Sequence, residues 1–555
     1  MVLVDGLDEI PDSQLRRDVI RSVLQHARPD SDYRFVLTTR TLPQSELAPL
    51  HTGNVGHYVI EPFDRPQLEE FASKWFTAQE VPSPTVATER FLRETSDGRL
   101  RELVRNPLLA TIAAVSAVKE PDRSLPASRI SLYERFCSYL AGDRSSKRDP
   151  LAHLRQHHQD NPELLACVQW LHRSRSKILA ALALRRLESQ DNLWQAAVEW
   201  VGDHTPKDIT LVDGWEDHLR DELVGTGLLV TKESDLRFLH QSFSEFLSAQ
   251  SHAECISDDF DELDSWIRRG LREAERTFTL FTFSMWAARP GHDIGVVINR
   301  LLSSLYPDRL LFAGWLMAEG VSVPGTMATR VIDRLFSLVR NLDKSYSEEA
   351  DTAFDVLGAL FDQAAVPARL DALVRDTDVR WYRRVSALEA FERLQGGERV
   401  QLLLAQLLPS VYGEPLLLCA RMANRLGQAA IDMVKRRALE VVAEPESNTN
   451  ARTNAAEVMR ILDLPTEVAD LARSVIGGAR STDQQLKRAA EVWLATQGES
   501  AVPEIAALAT GRPAQDHVGR AGLAAFLHKA GDGKTGESWP ALYWKTKSRT
   551  AMRWR

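Results

Sequence analysis

Cysteine is scarce in this chain: four residues in 555, at Cys137, Cys167, Cys255 and Cys419. They lie far apart and form no CxxC pair, which excludes a disulfide framework and makes a reducing cytoplasm the natural compartment. Long apolar runs are also missing. The best internal segments, around Phe278 to Ala288 and Leu310 to Ala318, are too short to span a bilayer and read as buried helices. Asp5, Asp8 and Glu9 interrupt the one N-terminal apolar stretch almost at once, so no signal peptide is visible. No nucleophile elbow and no HExxH motif occurs. An excess of positive charge is lacking too: 68 basic against 77 acidic residues leave a net charge of -9, which argues against bulk nucleic-acid affinity. Strand-like runs are confined to the first sixty or so residues and one pair near Gly227 to Val230 and Leu236 to Phe238.

What is present is an ordinary globular composition, 44% apolar and 26% charged, on a chain long enough for several domains. Its first ten residues, Met1-Val2-Leu3-Val4-Asp5-Gly6-Leu7-Asp8-Glu9-Ile10, are an apolar run ending in an acidic cluster. A strand that delivers Asp at its tip, followed closely by Asp and Glu, suits magnesium, because hard cations take carboxylate oxygens or water. A carboxylate beyond the metal ligand can orient or deprotonate an attacking water. The bland alternative is a helix N-terminus or a solvated turn, where acidic residues are also favoured. A nucleotide site further requires a glycine-rich loop with Lys and Ser/Thr to cradle the phosphates. Gly533-Lys534-Thr535 does not supply it, because the spacing wants Gly where His528 stands and a helix precedes it.

More motifs follow in order. Tyr33-Arg34-Phe35-Val36-Leu37-Thr38-Thr39-Arg40 reads as a second buried strand ending in polar residues and an Arg. His57 to Phe63 reads as a further strand that Pro62 ends, and Leu68, Phe71 and Trp75 begin a helical apolar stripe. Arg105-Asn106-Pro107-Leu108-Leu109, Leu125-Pro126 with Leu132-Tyr133-Glu134-Arg135-Phe136, and Arg237-Phe238-Leu239-His240-Gln241-Ser242-Phe243-Ser244-Glu245-Phe246-Leu247 come next. Singly, Arg40 reads as a surface cation and His240 as a satisfied histidine at a half-buried helix start, and Pro107 is as readily a plain helix N1 proline as a binding residue.

Taken in sequence, these segments resemble the Walker B, sensor 1, helical-domain and winged-helix motifs of NACHT-type STAND NTPases. The resemblance implies that Asp5 binds Mg2+, Asp8 and Glu9 handle the attacking water, and Arg40 faces the terminal phosphate. Pro107 would pack near the adenine, and His240 would reach the diphosphate of ADP as a latch on the resting state. The implied fold is mainly α: a remnant of a P-loop α/β NTPase core at 1–62, a helical domain at 63–145, a winged-helix region at 146–252, and helical repeats at 253–555. The family's switch uses ATP/ADP and Mg2+, senses a protein or other macromolecular ligand, and forms homo-oligomers when intact, in defence or regulation. In the family's sheet a first strand lies between the segments at Tyr58 to Ile60 and Arg34 to Leu37, and the chain opens after the place where that strand and its phosphate loop belong.

Beyond residue 340 the sequence repeats. Ala353, Ala387, Ala420, Ala455, Ala489 and Ala521 are spaced 34, 33, 35, 34 and 32 residues apart in similar helical contexts, and several copies close with Gly: Gly396, Gly427, Gly498 and Gly531. A period in the low thirties fits one helix pair per repeat, each burying its face by stacking on the next, as in a HEAT-like solenoid. An irregular helical domain with coincidental spacing is the alternative. Lesser signals are discounted. His153, His157 and His158 lack a partner to complete a zinc set and read as a solvated helix face. The cations from Arg144 to Arg186, beside a winged helix, invite a DNA-binding reading, but in the family that this chain resembles the winged helix is an intramolecular packing and nucleotide-sensing module. The aromatic and basic tail from Trp539 to Arg555 reads as a repeat cap or frayed end. A non-enzymatic helical-repeat scaffold for protein binding is therefore the competing function.

Because the backbone donors and Lys that hold the β- and γ-phosphates are not among its motifs, the chain by itself is expected to bind ATP weakly and hydrolyse it negligibly. A robust rate in a phosphate-release assay contradicts this, and in-frame GxxxxGK[ST] codons ahead of Met1 favour the switch over the scaffold.

Overall fold

The computed structural model describes residues 1–7, 10, 13–27, 31–39, 44–51, 55, 60, 62–96, 98–142, 161–188, 192–232, 234–340, 348–395, 397–413, 415–443, 449–478, 481–512, 516, 519–520, 522–523 and 526–527. Helices dominate it. Strand occurs among the described residues only as two small two-stranded sheets, so the chain is mainly α. None of the described helices is long and apolar enough to cross a membrane. The fold divides into two compact units, 1–338 and 339–555.

The first unit opens with β1 (Val2–Val4), α1 (Ser13–His26) and β2 (Phe35–Leu37). β1 and β2 pair in parallel, Leu3 opposite Val36, as a strand–helix–strand unit permits. Ile20 of α1 joins Leu7 and Leu50 in a small core with Leu24 and Leu37 at its edge. Arg16 clamps this corner by donating to both carboxylate oxygens of Glu46 at 2.7 and 2.9 Å and to the Ile10 carbonyl at 2.5 Å. The guanidinium holds the Glu46 carboxyl below the usual carboxylate range. On the opposite face Leu3 and Val36 stay 66% and 47% exposed, so among the described residues this sheet packs on one side. The strand expected around Tyr58 lies outside the described residues.

Helices α2 (Arg65–Ala78), α3 (Pro84–Glu94), α4 (Pro107–Lys119) and α5 (Arg129–Gly142) follow. Asp64 and Gln67 form a reciprocal capping box on α2, satisfying two of the donors a helix start leaves open. Its buried stripe is Leu68, Ala72 and Phe76, while Phe71 and Trp75 are only half-buried. The stripe expected through Leu68, Phe71 and Trp75 is thus rotated on the helix, because Phe76 meets Phe91 of α3 at 5.7 Å. After α6 (Pro162–Glu188), α7 (Leu193–His204) and α8 (Trp215–Gly225), the antiparallel hairpin of β3 (Leu229–Lys232) and β4 (Asp235–Phe238) leads into α9 (Gln241–Cys255). α9 packs on α6 and on α11 (Glu273–Ala287), which follows α10 (Leu263–Gly270). α12 (Ile294–Leu302), α13 (Pro307–Ala318) and α14 (Gly325–Arg340) complete the series. The two longest apolar segments do form buried helices: Phe278, Phe281, Phe283 and Trp286 on α11, Leu310, Phe312 and Leu316 on α13.

The second unit is built from consecutive helix pairs: α15 (Glu348–Leu357) with α16 (Ala365–Arg375), α17 (Trp381–Gln395) with α18 (Glu398–Leu407), α19 (Pro415–Leu426) with α20 (Gln428–Ala443), α21 (Thr449–Ile461) with α22 (Pro465–Gly477), and α23 (Asp483–Gln497) with α24 (Val502–Gly511). The first helices of the pairs pack on one another in order, α15 through α23. Ala353, Ala387, Ala420, Ala455 and Ala489 each sit on one of these five helices, and each is at most 1% exposed. A methyl side chain lets the neighbouring helix approach closely without a void, which is why the period is written in alanine. Ala521, Gly396 and Gly531 lie outside the described residues. Gly427 and Gly498, at φ 93° and 62°, adopt the left-handed backbone that a chain reversing after a helix requires and that costs glycine nothing.

Stacking buries helix ends, whose last carbonyls have no partner within the helix. A side chain from a neighbouring helix or from the residues just after one repeatedly fills that need. Arg289 donates to the Ala253 carbonyl at 2.5 Å, Arg334 to Leu302 at 2.6 Å, and Arg384 to Val374 at 2.6 Å. Arg383 and Arg512 do the same for Val339 and Ile476, and Asn424 for Ile461 at 2.6 Å. Arg383, Arg384 and Arg512 are all under 10% exposed, so these are interior groups. Burial lowers the Arg384 pKa, yet the guanidinium stays charged and faces the negative end of the α16 dipole. Arg384→Ala is expected to cost about 2 kcal/mol in urea unfolding by orphaning the Val374 carbonyl. Arg473→Ala, which breaks solvated pairs with Asp470 and Glu504 and a contact over the Trp493 ring, is expected to cost less, about 1 kcal/mol in the same measurement.

Candidate functional site

Of the residues singled out in the sequence, Asp5, Pro107 and His240 fall among the described residues, whereas Asp8, Glu9 and Arg40 lie outside them. Asp5 is exposed and stands where β1 ends. Parallel pairing brings the ends of β1 and β2 side by side: Thr38 N–H donates to the Val4 carbonyl at 2.9 Å, and Leu7 N–H to the Thr38 carbonyl at 3.0 Å. The Thr38 hydroxyl then donates to Asp5 Oδ1 and accepts from Gly6 N–H at 3.0 Å. Gly6, at φ 71°, turns the chain sharply behind the carboxylate. An acidic group and a hydroxyl thus meet at the carboxyl ends of two parallel strands, the end of a parallel sheet at which ligands are held in open α/β folds. Both are hard oxygen donors. Among the described residues no group of three or more His, Cys, Asp or Glu side chains converges as a metal set.

Pro107 is the first residue of α4, with Asn106 as its cap: Asn106 Oδ1 accepts from Leu108 N–H at 3.0 Å and Leu109 N–H at 3.3 Å. Its missing N–H is one the helix start leaves unbonded in any case, and its ring is exposed. Arg105 fastens this start to the segment before α2, its carbonyl accepting from Phe63 N–H at 2.8 Å.

His240 is the N-cap of α9, in extended backbone at the exit of β4. Its Nδ1 accepts from Ser242 N–H at 3.1 Å and lies 2.6 Å from Ser242 Oγ. An Nδ1 that accepts carries no proton, so the neutral ring carries its proton on Nε2. Tyr133 of α5 donates its hydroxyl to Ser242 Oγ at 2.7 Å, which directs the Ser242 proton towards His240. The chain Tyr133, Ser242, His240 therefore links α5 to the first turn of α9. It is lodged in aromatic packing: Tyr133 stacks on Phe246 at 5.4 Å and meets Phe243 and Phe281 edge-on at 5.6 and 5.5 Å. Burial pushes the Tyr133 hydroxyl up to about 12, so it remains a donor at all ordinary pH. Beside it Glu245, 2% exposed, accepts from Gln241 Nε2 at 3.0 Å, and Arg129 lies over Phe281 and pairs with Glu319 beyond α13.

The structure joins Asp5 to Thr38 and His240 to Ser242 and Tyr133, and the hydrogen bonds of these two groups do not include Pro107. Thr38, Tyr133 and Ser242 belong to the motifs singled out in the sequence, but their roles as partners were not legible there. Only a Thr directly after β2 and hydroxyls in the quoted segments hint at them.

Because the folded Tyr133 pKa is raised to about 12 from 10, its contribution to stability is complete below about pH 10 and is lost as pH rises through about 12. Urea unfolding of the native chain and of Tyr133→Phe is expected to give a stability difference that is constant from pH 7 to 9 and changes only above about pH 10, by roughly 2 to 3 kcal/mol across that window. No family model matches this chain, and no curated protein matches it either.

Proposed function

We propose that the chain is part of a NACHT-like, nucleotide-dependent signalling switch in the cytoplasm, with its second unit as the ligand-sensing part. The observation that carries the reading is the junction of Asp5 and Thr38 at the carboxyl ends of β1 and β2, where an acidic strand tip and a polar strand exit serve one locus. The order of α7, α8, the β3–β4 hairpin and α9 supports a winged helix, and His240 stands where hairpin and helix meet. In this scheme a ligand and a nucleotide favour different domain arrangements, and His240 biases the resting one.

Asp5 and Thr38 fit a magnesium ion or its water shell, being hard oxygen ligands at a strand tip. The residues present do not fit ATP as a whole, because the phosphate-cradling loop is not among the motifs of the chain. Asp5 and Thr38 would hold a hydrated cation near the strand ends, while Tyr133, Ser242 and His240 keep the start of α9 in register with α5.

The second reading is a non-enzymatic scaffold, favoured by the five buried alanines on successively stacked helices, which support a HEAT-like solenoid. Magnesium ADP at millimolar concentration separates the two. The switch reading expects slower backbone hydrogen exchange at residues 5–7 and 240–243, with Asp5→Asn and His240→Ala each weakening the apparent affinity by about tenfold. Unchanged exchange in the native chain defeats the switch and leaves the scaffold.

A further inference from the structure

The first helices of three successive pairs in the second unit, α15, α17 and α19, frame an open groove of about 350 Å3, within the range of pockets that hold ligands. Its floor is apolar: Phe354 from α15, Ala390 from α17, and Leu417 with Leu418 from α19. Its charges are not evenly matched. Arg393, in the middle on α17, is taken by Asp355 at 2.8 Å and Glu389 at 3.6 Å. That leaves Asp351 on the α15 side and Arg421 on the α19 side, both exposed and neither making a hydrogen bond or ion pair among the described residues.

Two exposed charges of opposite sign, neither held in an ion pair among the described residues and separated by an apolar floor, describe their complement. We propose that this groove binds an extended segment of a partner protein carrying a Lys or Arg against Asp351, apolar side chains on the Phe354 and Leu417 floor, and an Asp or Glu against Arg421. This deepens the sensing role given above to the second unit and rests on it. Neighbouring packed helices lie roughly 8–10 Å apart, so the groove spans two such steps, about 18 Å from α15 to α19. An extended chain advances about 3.3 Å per residue, which puts the basic and acidic residues about five positions apart. The partially desolvated Asp351 carboxyl, whose pKa is raised by burial and by Asp355 in spite of the nearby Arg383 charge, gains from an incoming cation what water supplies poorly there. Opposite charges at the two ends also set the direction of the bound segment, since a reversed segment juxtaposes like charges.

The test is a positional-scanning library of N-acetylated, C-amidated octapeptides, read by fluorescence polarisation against the whole chain and against Asp351→Lys and Arg421→Glu. Both substitutions are at exposed positions, and unchanged circular dichroism and melting verify that the variants fold. The groove predicts selection of Lys or Arg at one position and of Asp or Glu about five away, with apolar residues between. It also predicts loss of the basic preference in Asp351→Lys, loss of the acidic preference in Arg421→Glu, and binding of the best native peptide weakened about tenfold in each. The double variant should prefer the charge-reversed peptide. Selection that survives both substitutions unchanged overturns the groove while leaving recognition elsewhere on the second unit intact. No selection by any of the proteins overturns the groove and the sensing role together.

Discussion

An α-helix ends in carbonyls it cannot satisfy itself, and packing helix against helix buries several of them in this protein. The fold answers with donors borrowed across the packing: Arg289, Arg334, Arg383, Arg384 and Arg512, joined by Asn424, each reach a last-turn carbonyl of another helix. The positive guanidinium also faces the negative end of that helix's dipole, so one contact meets two demands. It carries register as well. A helix pair that slid against its neighbour would lose the bond before it lost much apolar burial, since alanine contacts are short and weakly directional. The alanines permit close approach and the arginines choose which close approach is kept.

The same economy of shared donors shapes the candidate site. At the strand tips a single hydroxyl, Thr38, joins the Asp5 carboxylate to the Gly6 N–H and so holds the turn after β1 against the end of β2. At the start of α9, Ser242 stands between Tyr133 and His240, and a histidine does the work of the Ser or Asp usually found at an N-cap. That substitution gives a helix start a titratable ring, backed by a tyrosine that burial keeps protonated. The ring is fixed at the junction between hairpin and helix by Ser242 and, through it, by Tyr133 of α5.

Some of this was readable in the sequence because it follows from local rules. The scarcity of strands, the buried helices around Phe281 and Phe312, the N1 role open to Pro107, and the period marked by Ala353 through Ala489 all depend on residue type and spacing alone. The α2 stripe shows where such rules stop. Leu68, Phe71 and Trp75 are an apolar set at helical spacing, yet the buried face runs through Leu68, Ala72 and Phe76, because the partner helix offers Phe91 there. Periodicity finds an apolar side, and the neighbour decides how the helix is turned.

By itself the sequence determined that the chain is mainly helical, where alanine recurs, and that an acidic strand tip opens it, since composition and period act within a few residues. Only the tertiary structure decided that Thr38 meets Asp5, that Tyr133 reaches Ser242 across more than a hundred residues, and that Asp351 and Arg421 face one groove. Those meetings depend on parallel strand pairing and helix stacking, which set distances between residues remote in the chain. A hydrogen bond or an ion pair depends on those distances and on little else.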